Sequence, residues 1–168
     1  MSEPAWMIYG VTGYTGELAA REAVRRGQRP VLAGRDPEKV GAIARELGLE
    51  SRAFSLDDPQ ALAAGLAGLS AVLHCAGPFV RTSAPMVHAC LAAGVHYLDI
   101  TGEIPVFEEV LSRGEEARRA NVALLPGVGF DVVPSDCLAA RLAAALPDAT
   151  DLTLAFYNDR GTLSRGTM

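Results

Sequence analysis

Lysine is almost missing from this 168-residue chain: Lys39 stands alone against fourteen arginines. The scarcity excludes two chemistries. A Tyr-x-x-x-Lys pair cannot form, because the residue four before Lys39 is Arg35. Schiff-base catalysis lacks a suitable lysine for the same reason. Cysteine is scarce too. Cys75, Cys90 and Cys137 are odd in number and far apart, with no C-x-x-C, so reduced thiols and a cytoplasmic location are expected. Together with His74, His88 and His96 they make no metal-ligand spacing, and no metal is expected. Positive charge is short as well. A net charge of −5 without a basic cluster argues against a nucleic-acid partner. The N-terminus carries Glu3 and no basic segment, so it does not read as a signal peptide. Residues 61–80 lack Asp, Glu, Lys and Arg, a length that could span a bilayer. Gly65, Gly68, Ser70, His74, Gly77 and Pro78 interrupt that stretch; a helix, a turn and a buried strand explain it better than a membrane span. Neither G-x-S-x-G nor G-x-x-x-x-G-K-[ST] occurs, which removes the usual serine-hydrolase and P-loop readings. The arginine bias, with abundant alanine and glycine, points to a GC-rich bacterial genome. With 49% hydrophobic and 21% charged residues, the chain has the composition of one globular domain with a real core.

The chain does have a glycine turn at its start. The apolar run Ala5-Trp6-Met7-Ile8 leads into Tyr9-Gly10-Val11-Thr12-Gly13-Tyr14-Thr15-Gly16, and a helical pattern follows from Glu17 to Arg26. Strand, glycine turn and helix in this order suit a dinucleotide. Gly10 permits the tight turn, Gly13 lets backbone approach a pyrophosphate, and Gly16 lets helix pack on strand. The free N–H groups and the positive end of the helix then face the phosphates. Thr12, Tyr14 and Thr15 add hydroxyl donors. The second strand, Pro30 to Ala33, is followed by Gly34-Arg35-Asp36-Pro37. An NAD site usually carries an acidic residue near the end of this strand; here Gly34 stands at that point and Arg35 follows. A guanidinium binds a ribose 2′-phosphate that a carboxylate would repel, so NADP(H) is the expected cofactor. Asp36 opens the next helix as an N-cap, with Pro37 at its first position.

Strand and helix patterns then alternate. A helix is expected over Pro37–Leu47, a third strand over Arg52–Leu56, and a helix capped by Asp58-Pro59 that fades at Gly65–Gly68. A fourth strand follows over Ala71–Cys75, then a loop over Ala76–Phe79 and a helix over Ala84–Ala93. Val95–Ile100 reads as a fifth strand, Pro105–Asn121 as helix with a break at Gly114, Val122–Leu125 as a sixth strand, and Pro134–Leu146 as a last helix. Six β units in this order predict a Rossmann-like, doubly wound α/β fold with a parallel sheet in the order 3-2-1-4-5-6. Residues 1–150 would form this nucleotide-binding domain. Leu152–Tyr157 looks like one more strand with no partner left, so residues 151–168 read as the start of a second, truncated domain.

The motifs resemble those of the saccharopine dehydrogenase-like oxidoreductases, especially the branch with the trans-acting enoyl reductases. They are the glycine turn, Ala33-Gly34-Arg35, Cys75-Ala76-Gly77-Pro78-Phe79, the segment Ala89 to Glu103 with His96-Tyr97-Leu98-Asp99-Ile100-Thr101-Gly102-Glu103, and Pro126-Gly127-Val128-Gly129-Phe130-Asp131-Val132-Val133-Pro134-Ser135-Asp136. The resemblance implies an NADP(H)-binding domain followed by a second α/β domain that builds the substrate pocket and mediates pairing. Family members are much longer than 168 residues, so the chain is expected to be a fragment. It should bind NADP(H) but turn over poorly alone, and it should self-associate as a dimer through exposed apolar surface.

In sheets of this type ligands lie beyond the carboxyl ends of the strands. Ala76, Gly77 and Pro78 could run along the pyrophosphate and nicotinamide ribose. Asp57 could accept from the adenine amino group or help start a helix. Glu103 and Asp131 are the candidate catalytic groups, able to orient a small-molecule substrate or relay a proton. Their plain alternative is helix-terminal service, with Glu103 and Asp136 favoured by helix dipoles and Asp131 as a cap. His96 begins its strand on the far edge and reads as a packed or surface histidine. The function expected is hydride transfer to or from a small organic substrate, and the family resemblance implies an activated C=C bond. A sensor or scaffold that binds NADP(H) without turnover is the alternative, and a saccharopine-type C–N oxidoreductase a third.

Overall fold

The computed structural model describes residues 5–130, 132–155 and 157. The central strand β1 (Trp6–Tyr9) owes its place to the run Met7-Ile8-Tyr9, buried on both faces, as an interior parallel strand must be. It pairs in parallel with β2 (Val31–Gly34) on one side and β4 (Ala71–His74) on the other. Beyond β2 lies β3 (Ser51–Ala53), and beyond β4 lie β5 (His96–Asp99) and β6 (Leu124–Leu125). The sheet is all parallel with the order β3-β2-β1-β4-β5-β6, as the alternation of patterns predicts.

Right-handed crossovers put α1 (Tyr14–Arg25) and α2 (Pro37–Leu47) on one face, where Ile8 and Leu32 meet Ala20, Val40 and Ala44. The helices α3 (Pro59–Leu66), α4 (Phe79–Ala93), α5 (Ile104–Ser112) and α6 (Gly114–Ala120) form the other layer. There Met7, Tyr9, Val72 and Tyr97 meet Leu66, Met86, Val87 and Val110. The last helix, α7 (Val133–Ala145), buries none of its described side chains, and Leu138, Leu142 and Leu146 stay exposed.

Several boundaries differ from expectation. The first helix starts at Tyr14, three residues before Glu17, so the glycine turn runs directly into it. β3 ends at Ala53, although the Phe54 N–H still donates to the Gly34 carbonyl at 3.0 Å; the Phe54 ring lies over Gly65 and 5.0 Å from Tyr9. Phe79 opens α4, five residues before Ala84. The break before α6 falls at Arg113, and Gly114 begins that helix. Residues 152–155 carry no regular element, so the strand expected over Leu152–Tyr157 is not formed there. Asp36 and Asp58 do cap α2 and α3, each accepting two backbone N–H bonds at 3.0–3.1 Å. The apolar stretch 61–80 divides into α3, β4 and the start of α4. Among the described residues no helix is long and apolar enough to cross a membrane.

Candidate functional site

The carboxyl ends of β1 and β4 lie side by side where the connections of the sheet diverge, the place of the ligand crevice in folds of this type, and the glycine turn follows β1 there. Gly10 holds φ +90° and lies against the end of β4: a methyl on it would stand 2.7 Å from the Ala76 nitrogen and 2.8 Å from the Cys75 carbonyl carbon. Gly16 faces Gly10 so closely that its methyl would lie 2.4 Å from the Gly10 oxygen. These two glycines are required by backbone packing. Gly13 is exposed, and it is the N-cap of α1 without any side-chain cap. The N–H groups of Tyr14, Thr15 and Gly16 therefore take no partner among the described residues. An uncapped helix start of this kind is a ready anion site. The side chains of Thr12, Tyr14 and Thr15 are exposed around it.

One strand away, Arg35 follows β2, exposed and without an ion-pair partner among the described residues. Its neighbour Asp36 is occupied by the amides of Glu38 and Lys39 and by the Lys39 ammonium at 3.1 Å. Asp36 therefore leaves Arg35 free to meet an anion. Asp57 is exposed beyond β3 and accepts from the Ser55 hydroxyl at 3.2 Å; Asp58, not Asp57, starts α3. Burial pushes the Tyr9 phenol up to about 12, against the pull of Arg35 and with a smaller push from Asp57. That O–H donates to the Phe54 carbonyl at 3.0 Å.

Ala76 is half-buried, while Gly77 and Pro78 are exposed after β4. A methyl on Gly77 would come no nearer than 3.6 Å to the Phe79 ring and 4.0 Å to the Phe79 nitrogen, so packing does not demand glycine there. An uncapped helix start, a free guanidinium and an open loop across the crevice fit a dinucleotide with a 2′-phosphate.

Glu103 lies at the same edge, but its carboxylate is engaged. Oε1 accepts the Phe79 N–H at 2.8 Å and Oε2 the Val80 N–H at 2.9 Å. By backbone Glu103 is the N-cap of α5, yet its side chain serves the N-terminus of α4. The helix-dipole alternative thus describes its surroundings, with a different helix from the one that follows it. Asp136 does sit in the first turn of α7. Asp131 lies outside the described residues. His96 is exposed, and its Nδ1 accepts the Ala123 N–H at 3.0 Å, tying β5 to β6.

Three residues without an assigned role in the sequence organise this edge. Asp99 is fully buried at the end of β5. It accepts the Tyr97 O–H at 2.6 Å and the N–H groups of Thr101 and Gly127, both at 2.9 Å. Burial, and next Asp99, hold the Tyr97 phenol far above its usual range. His74 stands between Tyr9 and Asp99 in the strand register. Its ring lies 5.6 Å from Tyr9, 5.5 Å from Phe79 and 6.1 Å from Tyr97, and neither nitrogen has a hydrogen-bond partner among the described residues. Only long-range contacts reveal these roles; the dipeptide His74-Cys75 carries no local signal.

Burial pushes the His74 imidazole down to about 3 from an ordinary 6.5. Between these values the unfolded chain binds the extra proton. The associated stability is whole above about pH 6.5 and is lost as pH falls toward 3, with a slope of up to about 1.4 kcal/mol per pH unit. Urea midpoints of the wild type are therefore expected to fall more steeply than those of His74→Phe between pH 6.5 and about pH 4. Parallel curves for the two proteins would refute this.

Comparison with known proteins agrees with the geometry. Residues 6–125 match the saccharopine dehydrogenase NADP-binding domain. A Mycobacterium tuberculosis protein carrying the name of a trans-acting enoyl reductase is 33% identical over 96% of this chain and 42% of its own length. A trans-acting enoyl reductase of Mycobacterium bovis is 32% identical over 77% of this chain and 33% of its own. The chain thus spans about two fifths or less of these curated relatives. Among solved structures, the yeast saccharopine dehydrogenase superposes with a TM-score of 0.74 at 16% identity, over 86% of this chain and 31% of that one. The Citrobacter triphenylmethane reductase complexed with NADP(H) gives 0.58 at 24% identity, over 72% and 48%; both likenesses concern the fold. With six parallel strands, the glycine crevice and a match running from Trp6 through Leu125, the chain belongs to the saccharopine dehydrogenase NADP-binding domain family of oxidoreductases.

Proposed function

We propose that this chain is the NADP(H)-holding part of a reductase acting on an activated C=C bond of a small organic substrate. The observation that carries the reading is the uncapped start of α1 with Arg35 one strand away, exposed and without an ion-pair partner among the described residues. The amides of Tyr14, Thr15 and Gly16 and the hydroxyls of Thr12, Tyr14 and Thr15 would hold the diphosphate, with Gly10, Gly13 and Gly16 keeping the backbone open to it. Arg35 would hold the 2′-phosphate, Asp57 the adenine amino group, and Ala76, Gly77 and Pro78 the nicotinamide ribose. When bound, the cofactor supplies or takes the hydride. The choice of a C=C bond draws on the names of the mycobacterial relatives. Asp131 is kept as a candidate to orient substrate. Glu103 spends one lone pair of each oxygen on the Phe79 and Val80 amides, so any proton relay through it would use the remaining acceptor sites of a carboxylate already held in place. That engagement favours the sensor or scaffold reading as the alternative. Self-association belongs to the proposal too, supported by the exposed Leu138 and Leu142 of α7 and Leu146 just after it.

Titration with NADPH and NADH by calorimetry tests the reading, with loss of reduced-nicotinamide absorbance on an α,β-unsaturated ester as the activity arm. Absence of binding by either cofactor would sink it. Hydride consumption would exclude a pure sensor. Arg35→Ala is expected to weaken NADPH tenfold or more while sparing NADH, since a charged hydrogen bond to phosphate is worth roughly 1.5–3 kcal/mol. Equal losses for the two cofactors would make Arg35 structural.

A further inference from the structure

We infer that Glu103 is a positioning residue for the nicotinamide half of the dinucleotide, acting through the Ala76-Gly77-Pro78 loop rather than on the reacting atoms. The inference rests on the NADP(H) reading proposed above. The loop is held at both ends and open in the middle. At one end the Thr82 hydroxyl donates to the Ala76 carbonyl at 2.6 Å, with the Pro78 carbonyl at 3.2 Å. At the other end the Glu103 carboxylate accepts from Phe79 and Val80, the first two residues of α4. Between the two, Gly77 and Pro78 face solvent without crowding.

Glu103 can act as a clamp because it is itself anchored to the sheet. Its N–H donates to the Thr101 hydroxyl at 3.0 Å. Thr101 is fully buried, and its N–H donates to Asp99 at the end of β5. Asp99 also takes the Gly127 N–H from the segment after β6. A continuous polar chain thus ties the segments that follow β4, β5 and β6 into one frame. A preorganised loop lowers the ordering cost of binding, and a carboxylate on two amides at a helix start is a strong way to fix it. In the proposed binding mode the adenine half of the ligand meets Arg35 and Asp57 on the other side of β1, and among the described residues no hydrogen bond of this frame reaches either side chain.

The two halves therefore respond differently to Glu103. In Glu103→Ala, NADPH affinity falls about tenfold while adenosine 2′,5′-bisphosphate binds within about twofold of the wild type. Glu103→Gln keeps the shape and one acceptor oxygen, so it loses about threefold for NADPH and nothing for the bisphosphate. Calorimetry of both ligands against wild type and both variants reads this split, and hydrogen exchange at the Phe79 and Val80 amides should quicken in the variants. Equal weakening of both ligands would overturn the inference, because the residue would then act on the whole fold; unchanged NADPH affinity would overturn it as well. If Glu103→Ala does not fold, Glu103→Gln decides by the same split. Failure of the wild type to bind NADPH would defeat the functional reading itself. Wild-type binding with no split would defeat only this inference.

Discussion

Gly10→Ala is expected to lose about 2–5 kcal/mol of stability and all measurable NADPH binding. Two costs combine. The residue holds φ +90°, a conformation that costs an alanine roughly 1–2 kcal/mol. The new methyl would also stand 2.7 Å from the Ala76 nitrogen, 2.8 Å from the Cys75 carbonyl carbon and 2.9 Å from the Ala76 Cβ. Overpacking of this kind typically adds about 1–3 kcal/mol, and here the neighbours include backbone that cannot swing aside. Gly10 is also held from the other side, by its N–H bond to the Ala33 carbonyl at 2.8 Å. Relief must part β1 from β4, which opens the crevice. Gly27→Ala is the matched control: its φ is +76°, but nothing lies within 4 Å of the added methyl, so only the conformational cost of about 1 kcal/mol remains. Urea midpoints and NADPH titrations on both variants check the pair. Equal stabilities would show that the contact with the end of β4 is not tight.

Asp99→Ala is the second large effect, about 3–5 kcal/mol. The substitution orphans the Tyr97 O–H and the N–H groups of Thr101 and Gly127 in one stroke. A buried donor without a partner costs its full desolvation, typically about 1–3 kcal/mol. The backbone carbonyl of residue 99 still accepts the Val128 N–H at 2.7 Å, so the last strand has reason to stay. Asp99→Asn keeps one carbonyl acceptor and should lose about half as much. A denaturant midpoint for Asp99→Ala within about 1 kcal/mol of wild type would mean that other groups take over the three donors.

The strand order was readable because each β unit carries its own local marks. Asp36-Pro37 and Asp58-Pro59 announce their helices within three residues, and Gly48 and Gly94 end theirs in the left-handed conformation. Features made by distant partners were not readable. Proline at 78 and 85 disguises the start of α4, and the acceptor that secures its first amides comes from Glu103, far along the chain. The seat of the Phe54 ring depends on Gly65 and Tyr9, neither of them local. At the candidate site, the tight packing of Gly10 and Gly16 was legible from their spacing, and the exposure of Arg35 from its place after β2. The binding of Asp99 to three donors and the orphaned nitrogens of His74 exist only once β4, β5 and the segment after β6 lie side by side.

The occupied end of α4 has an electrical meaning. Two helices, α1 and α4, begin on the same edge, and each start carries the equivalent of about half a positive charge. One is left bare and the other is cancelled by the chain's own carboxylate. A ligand bearing phosphates therefore meets an asymmetric field, attractive on the β1 side and neutral or repulsive on the β5 side. With Arg35 lying farther out on the attractive side, the field gives a long dinucleotide a polarity, with its charged half drawn one way and its uncharged ring left to the other. Under the proposed binding mode, the direction of the ligand would be set partly by one helix end that is unfilled among the described residues and another that is sealed.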